Sequence, residues 1–234
     1  DRTVIEVVTE GILTRMLQED PELSGTGMII FDEYHERSLQ ADTGLAFALE
    51  SQSVLRDDLR LLIMSATLEA EPVAKLLGGA PVIVSEGRSY PVATQYLHSS
   101  RLEELHKGAA RAIQLALSEQ EGDILVFLPG AREIRRTANE LQQANLGGDI
   151  VIRQLHGTLS PEMQDEAIRP DPAGRRKVVL STSIAESSIT IQGIKVVVDS
   201  GYARTEVFSP RTGLPQLITR RLSRASADQR RGRA

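Results

Sequence analysis

Short β-branched runs alternate with longer amphipathic stretches along this chain, and that alternation leaves few folds open. It predicts βαβ units, a parallel sheet with helices on both faces. Strands are expected near 4–8 (VIEVV), 28–31 (MIIF), 61–64 (LLIM) and 81–84 (PVIV), with a second series at 124–128, 150–155, 177–181 and 194–199. Helices are expected at 10–19, 39–55, 70–77, 102–119, 131–144 and 160–168. The stretch Glu86-Gly87-Arg88-Ser89-Tyr90-Pro91-Val92 has the glycine and proline of a connector, and the β-rich run after it begins a new unit. We therefore expect two small α/β domains, 1–90 and 91–234, each incomplete for a doubly wound sheet. No short internal repeat or low-complexity segment is present.

Composition excludes several classes of protein. With 41% hydrophobic and 25% charged residues among 234, the chain is globular material rather than disordered or collagenous. No run approaches the roughly 18 apolar residues that span a bilayer, and Asp1-Arg2-Thr3-Val4-Ile5-Glu6 lacks a secretory pattern. A soluble, cytoplasmic protein with no membrane contact is the expectation. There are no cysteines, and His35, His98, His106 and His156 do not fall in a metal-binding spacing, so any metal is expected on oxygen ligands. The net charge of −5 argues mildly against nucleic acid, whose phosphates are met by Lys and Arg. That average hides a tail: residues 211–234 carry seven arginines against Asp228 alone, a charge of +6 that leaves −11 on the remainder. Such a block reads either as a solvated surface or as a polyanion site.

Two carboxylates, Asp32 and Glu33, follow the apolar strand Met28 to Phe31. In open α/β sheets the ligand crevice lies beyond the carboxyl ends of the strands, where Mg²⁺ with a triphosphate would sit. Asp32 would fix the metal directly or through its waters, and Glu33 would orient and deprotonate an attacking water. Taken alone, two acids after a buried strand also fit the start of a loop. A crossover leads from this motif to strand Leu61 to Met64, which ends in Ser65-Ala66-Thr67. Parallel pairing would bring the Ser65 and Thr67 hydroxyls beside the acids and let them report the nucleotide state. By itself the tripeptide is a common one and reads as structural.

Eight blocks in order make the pattern specific. They are Thr9-Glu10-Gly11-Ile12-Leu13, Asp32-Glu33-Tyr34-His35-Glu36-Arg37, Ser65-Ala66-Thr67, Phe127-Leu128-Pro129-Gly130 and Leu155-His156-Gly157. The run from Thr182 to Ile191, then Val197-Val198-Asp199-Ser200-Gly201 and Gln229-Arg230-Arg231-Gly232-Arg233-Ala234, complete the set. The sequence resembles the DEAH-box helicases of superfamily 2. Its acidic composition and Pro210-Arg211-Thr212-Gly213-Leu214 look most like the bacterial HrpB-type members.

The resemblance implies two RecA-like parallel-sheet domains, ATP in the cleft between them and single-stranded RNA lying across both. By position, it makes Asp32 and Glu33 the Mg²⁺ ligand and water activator, and gives His35 a contact with Gln229 that links the domains. Gln229 helps to position the water, Arg230 joins the nucleotide-binding set, and Arg233 is an arginine finger, a role worth about three to five orders of magnitude in related hydrolases. Thr9, Gly11 and Arg15 in the first domain, and Gly130 and Thr182 in the second, are implied as RNA contacts. Without it, Gly11 and Gly130 read as ordinary helix-start and turn residues. His156 reads as packed or surface-exposed. Aromatics form only 3% of the chain, which favours tracking along sugar and phosphate over base stacking.

The sequence departs from the family at three places. No GxxxxGK[ST] loop, the amide cradle and lysine for the phosphates, occurs in the 234 residues. In the family it lies upstream of the first block, and the last block continues beyond Ala234 with Gly-Arg and a second finger. These departures imply a piece of a longer polypeptide that binds ATP weakly and hydrolyses it negligibly alone. Gln192 stands where many relatives have an acid that contacts the ribose, which implies looser sugar or base discrimination. The competing readings are a non-catalytic RecA-like module that binds nucleic acid or a partner, and a similarly built enzyme acting on DNA.

Overall fold

A computed structural model describes residues 3–65, 70–85, 90–97, 101–186 and 189–234. The chain divides into two units, Asp1–Arg88 and Ser89–Ala234. In the first, helix α1 (Glu10–Glu19) is followed by β1 (Met28–Phe31), a single 3-10 turn (Tyr34–Glu36), α2 (Leu39–Val54), β2 (Arg60–Ile63) and α3 (Ala70–Leu76). Strands β1 and β2 pair in parallel, Met28 opposite Arg60 through Phe31 opposite Ile63, with α2 as the crossover. Ser38 starts α2 by accepting a hydrogen bond from the Ala41 amide at 2.9 Å, which satisfies one of the free donors at the helix start. Ile29 and Phe31 turn inward onto Leu17, Leu45 and Ala48, whereas Met28 and Ile30 are half exposed. Helices α1 and α2 approach closely because Gly44 has no side chain: a Cβ there would lie 3.3 Å from the Thr14 hydroxyl.

The second unit is built on four parallel strands in the order β4-β5-β3-β6. After a 3-10 turn (Leu102–Glu104) and α4 (Leu105–Glu119) come β3 (Asp123–Phe127), α5 (Ala131–Gln143), β4 (Ile150–Leu155), α6 (Pro161–Ile168) and β5 (Arg176–Ser181). A 3-10 turn (Ser183–Ala185), β6 (Ile194–Asp199), an antiparallel hairpin of β7 (Tyr202–Ser209) and β8 (Leu214–Arg221), and α7 (Arg224–Arg231) complete it. Successive residues of β3 face opposite ways. Ile124 and Val126 pack with Ile113, Ile134 and Leu141, while Leu125 and Phe127 pack with Leu155, Ala167 and Ala185. A parallel sheet covered on both sides explains why these strands read as unbroken apolar runs.

Polar groups fix the amino-terminal ends of the two central strands. Lys177 is buried on β5, and its ammonium donates to the carbonyls of Ala167, Ile168 and Arg169 at 3.2, 3.4 and 2.7 Å, closing the C-terminus of α6. Burial holds the Lys177 pKa below its ordinary value, and nearby Asp123 opposes that shift. Asp123 accepts the Lys177 amide at 2.8 Å, and its own amide donates to the Gly193 carbonyl at 2.9 Å. Gly193 has φ +87, and a Cβ there would sit 2.9 Å from the Asp123 carboxylate, so both backbone and space require glycine.

Two expected strands are absent and three unexpected elements are present. Residues 4–8 and 81–84 form no strand, and neither does the run from 90 to 97. Val4, Ile5, Val7 and Ile83 are 82–93% exposed. β-Branched residues favour an extended backbone, but a strand also needs a neighbour to pair with, and among the described residues these segments have none. The hairpin and α7 were not anticipated, because Arg204, Thr205 and Glu206 interrupt any apolar pattern in β7 and α7 is almost wholly polar. Their signals are punctuation: Ser209-Pro210 with Gly213 at φ +68 for the turn, and the Ser223 cap, which accepts the Ser226 amide at 3.1 Å.

Candidate functional site

The acidic motif sits directly beyond the carboxyl end of β1, and the parallel ladder continues into it. The Met64 amide donates to Phe31 at 2.8 Å and the Tyr34 amide donates to Met64 at 3.0 Å. Ser65, the next residue, is thereby brought to the end of the strand beside the motif; Thr67, its expected companion, lies outside the described residues. Asp32 is exposed and accepts the Glu33 amide at 2.8 Å. Glu33 adopts the left-handed conformation, φ 50 and ψ 34, uncommon for a residue with a side chain. The turn brings the His35 ring to 3.4 Å from the Glu33 carboxylate, with the histidine side chain 9% exposed.

Tyr34, between them, is buried with its ring edge-on to Phe31 at 6.3 Å. Its hydroxyl donates to Asp42 at 2.7 Å, and the Arg37 guanidinium donates to the same carboxylate at 3.2 and 2.9 Å. Burial and then Asp42 push the Tyr34 hydroxyl up to about 12. Hydrogen bonds from Arg37 and then Tyr34 hold the Asp42 carboxyl below its ordinary value.

Mg²⁺ in phosphate sites takes one or two carboxylates, and water and phosphate oxygens complete its shell. Asp32 and Glu33 at a strand end fit that sparse donor set. Among the described residues no group of three or more His, Asp or Glu forms a self-sufficient metal cage.

The expected RNA contacts of the first unit cluster at the start of α1. The Thr9 carbonyl accepts the Ile12 and Leu13 amides, and the Thr9 side chain makes no capping bond. Gly11 and Arg15, four residues apart, share one helix face. Nothing lies within 4 Å of where a Gly11 Cβ would be, and Arg15 pairs with Glu19 at 2.8 Å in solvent.

In the second unit, the carboxyl ends of β3, β5 and β6 carry Gly130, Thr182 and Asp199. Gly130 precedes α5 and is buried, and a Cβ there would lie 3.1 Å from the Arg204 guanidinium. The glycine makes room for an arginine the sequence did not single out. Thr182 is half-buried, its amide donating to Leu155 at 3.2 Å. His156 is packed: its Nδ1 lies 2.9 Å from the Thr158 hydroxyl, and burial, then Arg135, lower its pKa, so the ring is neutral near pH 7.

Helix α7 brings Gln229, Arg230 and Arg233 to this end of the sheet. Arg230 is wholly buried, its guanidinium 4.6 Å above the Phe127 ring. It donates to Glu186 at 2.9 Å and to Asp199 at 3.0 Å. Through these bonds Arg230 ties Glu186 and β6 to α7. Arg233 donates to the Glu186 carbonyl at 3.0 and 2.7 Å and to the Ile189 carbonyl at 3.1 Å. Gln229 is half-buried. In the sequence Glu186 and Asp199 stand out only as members of the motifs at 182–191 and 197–201, although an acid closing the Val196-Val197-Val198 run repeats the Phe31-Asp32 pattern.

The family model for the helicase conserved C-terminal domain matches residues 107–234, and the chain belongs to that family. It is similar to the ATP-dependent RNA helicase HrpB of Escherichia coli strain K12, at 52% identity over 232 residues, 99% of this chain and 29% of the relative. Two solved structures agree, described as the Escherichia coli DEAH/RHA helicase HrpB and the E. coli DExH-box NTPase HrpB. They match with TM-scores of 0.90 and 0.89, each at 52% identity over 99% of this chain and 29% of theirs. The chain thus spans less than a third of the length of these relatives. The resemblance to DEAH-box helicases of the HrpB type and the parallel-sheet α/β class are both borne out. Among the described residues no helix is long and apolar enough to cross a membrane.

Proposed function

We propose that this chain carries hydrolytic and RNA-gripping parts of a DEAH-box, ATP-dependent RNA helicase that acts in the cytoplasm. Residues 1–90 would form the C-terminal part of a first RecA-like domain and residues 91–234 most of a second. The observation that carries the reading is the Asp32-Glu33-Tyr34-His35 turn at the carboxyl end of β1. There two carboxylates stand where an α/β sheet binds its ligand, with a histidine 3.4 Å from the second of them. Bound ATP with Mg²⁺ supplies the γ-phosphoryl group and screens its charge. Asp32 holds the metal directly or through water, and Glu33 orients the attacking water and takes its proton. His35 in the first unit and Gln229 in the second belong to the hydrolytic set, and Ser65 and Thr67 relay the nucleotide state. Arg233 stabilises charge on the γ-phosphate, whereas Arg230 shapes the segment around it.

Thr9, Gly11, Arg15, Gly130 and Thr182 grip single-stranded RNA through sugar and phosphate, which suits a motor that must pass over any sequence. The 234-residue chain is expected to bind RNA homopolymers with little base preference, with affinity falling steeply as salt rises. Its ATP turnover should be negligible, because no GxxxxGK[ST] cradle occurs in it. Filter binding across a salt series and a phosphate-release assay check both points. Base-selective, salt-insensitive binding would favour another recognition mode, and magnesium-dependent turnover lost on Glu33→Gln would contradict the second expectation.

A further inference from the structure

The turn that presents Glu33 is bracketed by two residues in the left-handed region, Glu33 itself and Arg37, both at φ 50. Neither is glycine, so the conformation persists only because its surroundings impose it. Part of the restraint is backbone: Tyr34 to Met64, and the Glu36 and Arg37 amides back to Glu33 and Tyr34. The rest converges on one carboxylate, Asp42 in the first turn of α2.

Resting on the hydrolytic reading above, we infer that Asp42 is a positioning residue for the catalytic turn, clamping Tyr34 and Arg37 so that Glu33 and His35 keep their places. Its Oδ1 takes the Tyr34 hydroxyl at 2.7 Å and the Arg37 Nε at 3.2 Å, and its Oδ2 takes the second guanidinium nitrogen at 2.9 Å. The guanidinium carbon also stands 5.3 Å over the Tyr34 ring, so the three groups restrain one another. The anchor is firm because Ala41, Leu45 and Ala48 fix α2 in the core of the first unit. Tyr34 lies between Glu33 and His35 in the chain, so a shift of its ring moves both. The simpler alternative, that Asp42 only favours the start of α2 as an acid near a helix N-terminus, predicts a small change in stability and none in chemistry.

Asp42→Ala, Asp42→Asn and Tyr34→Phe in the full-length protein separate the two. For Asp42→Ala, kcat for ATP at saturating RNA should fall about ten- to hundred-fold, the effect of misplacing a catalytic group by about an ångström. The KM for ATP should stay within about twofold, since the groups that hold the triphosphate are untouched. Tyr34→Phe removes one hydrogen bond and should cost about three- to ten-fold. Hydrogen exchange should quicken at the amides of residues 33–37 while those of β1 keep their protection.

Unchanged kcat with unchanged exchange at 33–37 would overturn the clamp. If Asp42→Ala unfolds the first unit, Asp42→Asn decides, because it keeps shape and one acceptor but loses the charge that holds Arg37. Faster exchange limited to the turn then supports the clamp, and none refutes it. Glu33→Gln run alongside tells the two readings apart: if it turns over normally, the hydrolytic role fails, while the exchange data still judge the clamp.

Discussion

In the full-length protein, Glu33→Gln should lower ATP turnover by about two to four orders of magnitude, the range that a positioned general base contributes. Nucleotide affinity should change little. Glutamine keeps the size of the side chain and its carbonyl oxygen, so it can still orient a water, but it cannot take the proton. Because Glu33 is held left-handed by its own turn and Asp32 already accepts the Glu33 amide, the amide variant should keep the local backbone. Single-turnover hydrolysis beside equilibrium binding of a fluorescent ATP analogue measures both quantities. Undiminished turnover would remove Glu33 from its role. Equal losses in affinity and turnover would make it a binding group instead.

The second large effect is one of stability. Arg230→Met removes a guanidinium bonded to two partly buried carboxylates, Glu186 and Asp199, whose side chains are 14% and 24% exposed. Breaking such a pair from one side costs about 3 kcal/mol, because the charge left behind has lost its partner. Methionine can still lie on the Phe127 ring, so most of the loss is electrostatic. Thermal denaturation should show the midpoint of the second unit falling by roughly ten degrees. If Arg230 instead contacts nucleotide, the variant will melt normally and bind ATP more weakly.

Where the expected elements and the structure agree, a strong physical signal was present in the residues. β1, β4 and β6 occur at the expected residues, as does α1, because short β-branched apolar runs and a helix bounded by Thr9 and Asp20 stand out locally. The failures at 4–8 and 81–84 share a cause: strand propensity describes one chain segment, whereas a strand is a relation between two. The hairpin and α7 erred in the opposite direction, since their order comes from turn chemistry and caps rather than periodicity. At the site, the order of motifs pointed to Asp32, Glu33 and the residues near 230. It did not reveal that Arg230 faces inward, because burial of an arginine depends on carboxylates 44 and 31 positions away. Nor did it reveal Asp42, whose importance depends on a left-handed turn that no residue type in Glu33 to Arg37 announces.

The central claim is that this chain serves an ATP-driven motor on RNA, and the ATPase rate of the full-length protein tests it most directly when measured with poly-RNA, with poly-DNA and with no polymer. The 2′-hydroxyl is the feature that tells the two polymers apart at a backbone-tracking site. The account predicts a low basal rate raised severalfold or more by RNA. Stimulation by DNA alone, or a rate indifferent to any polymer, would contradict it.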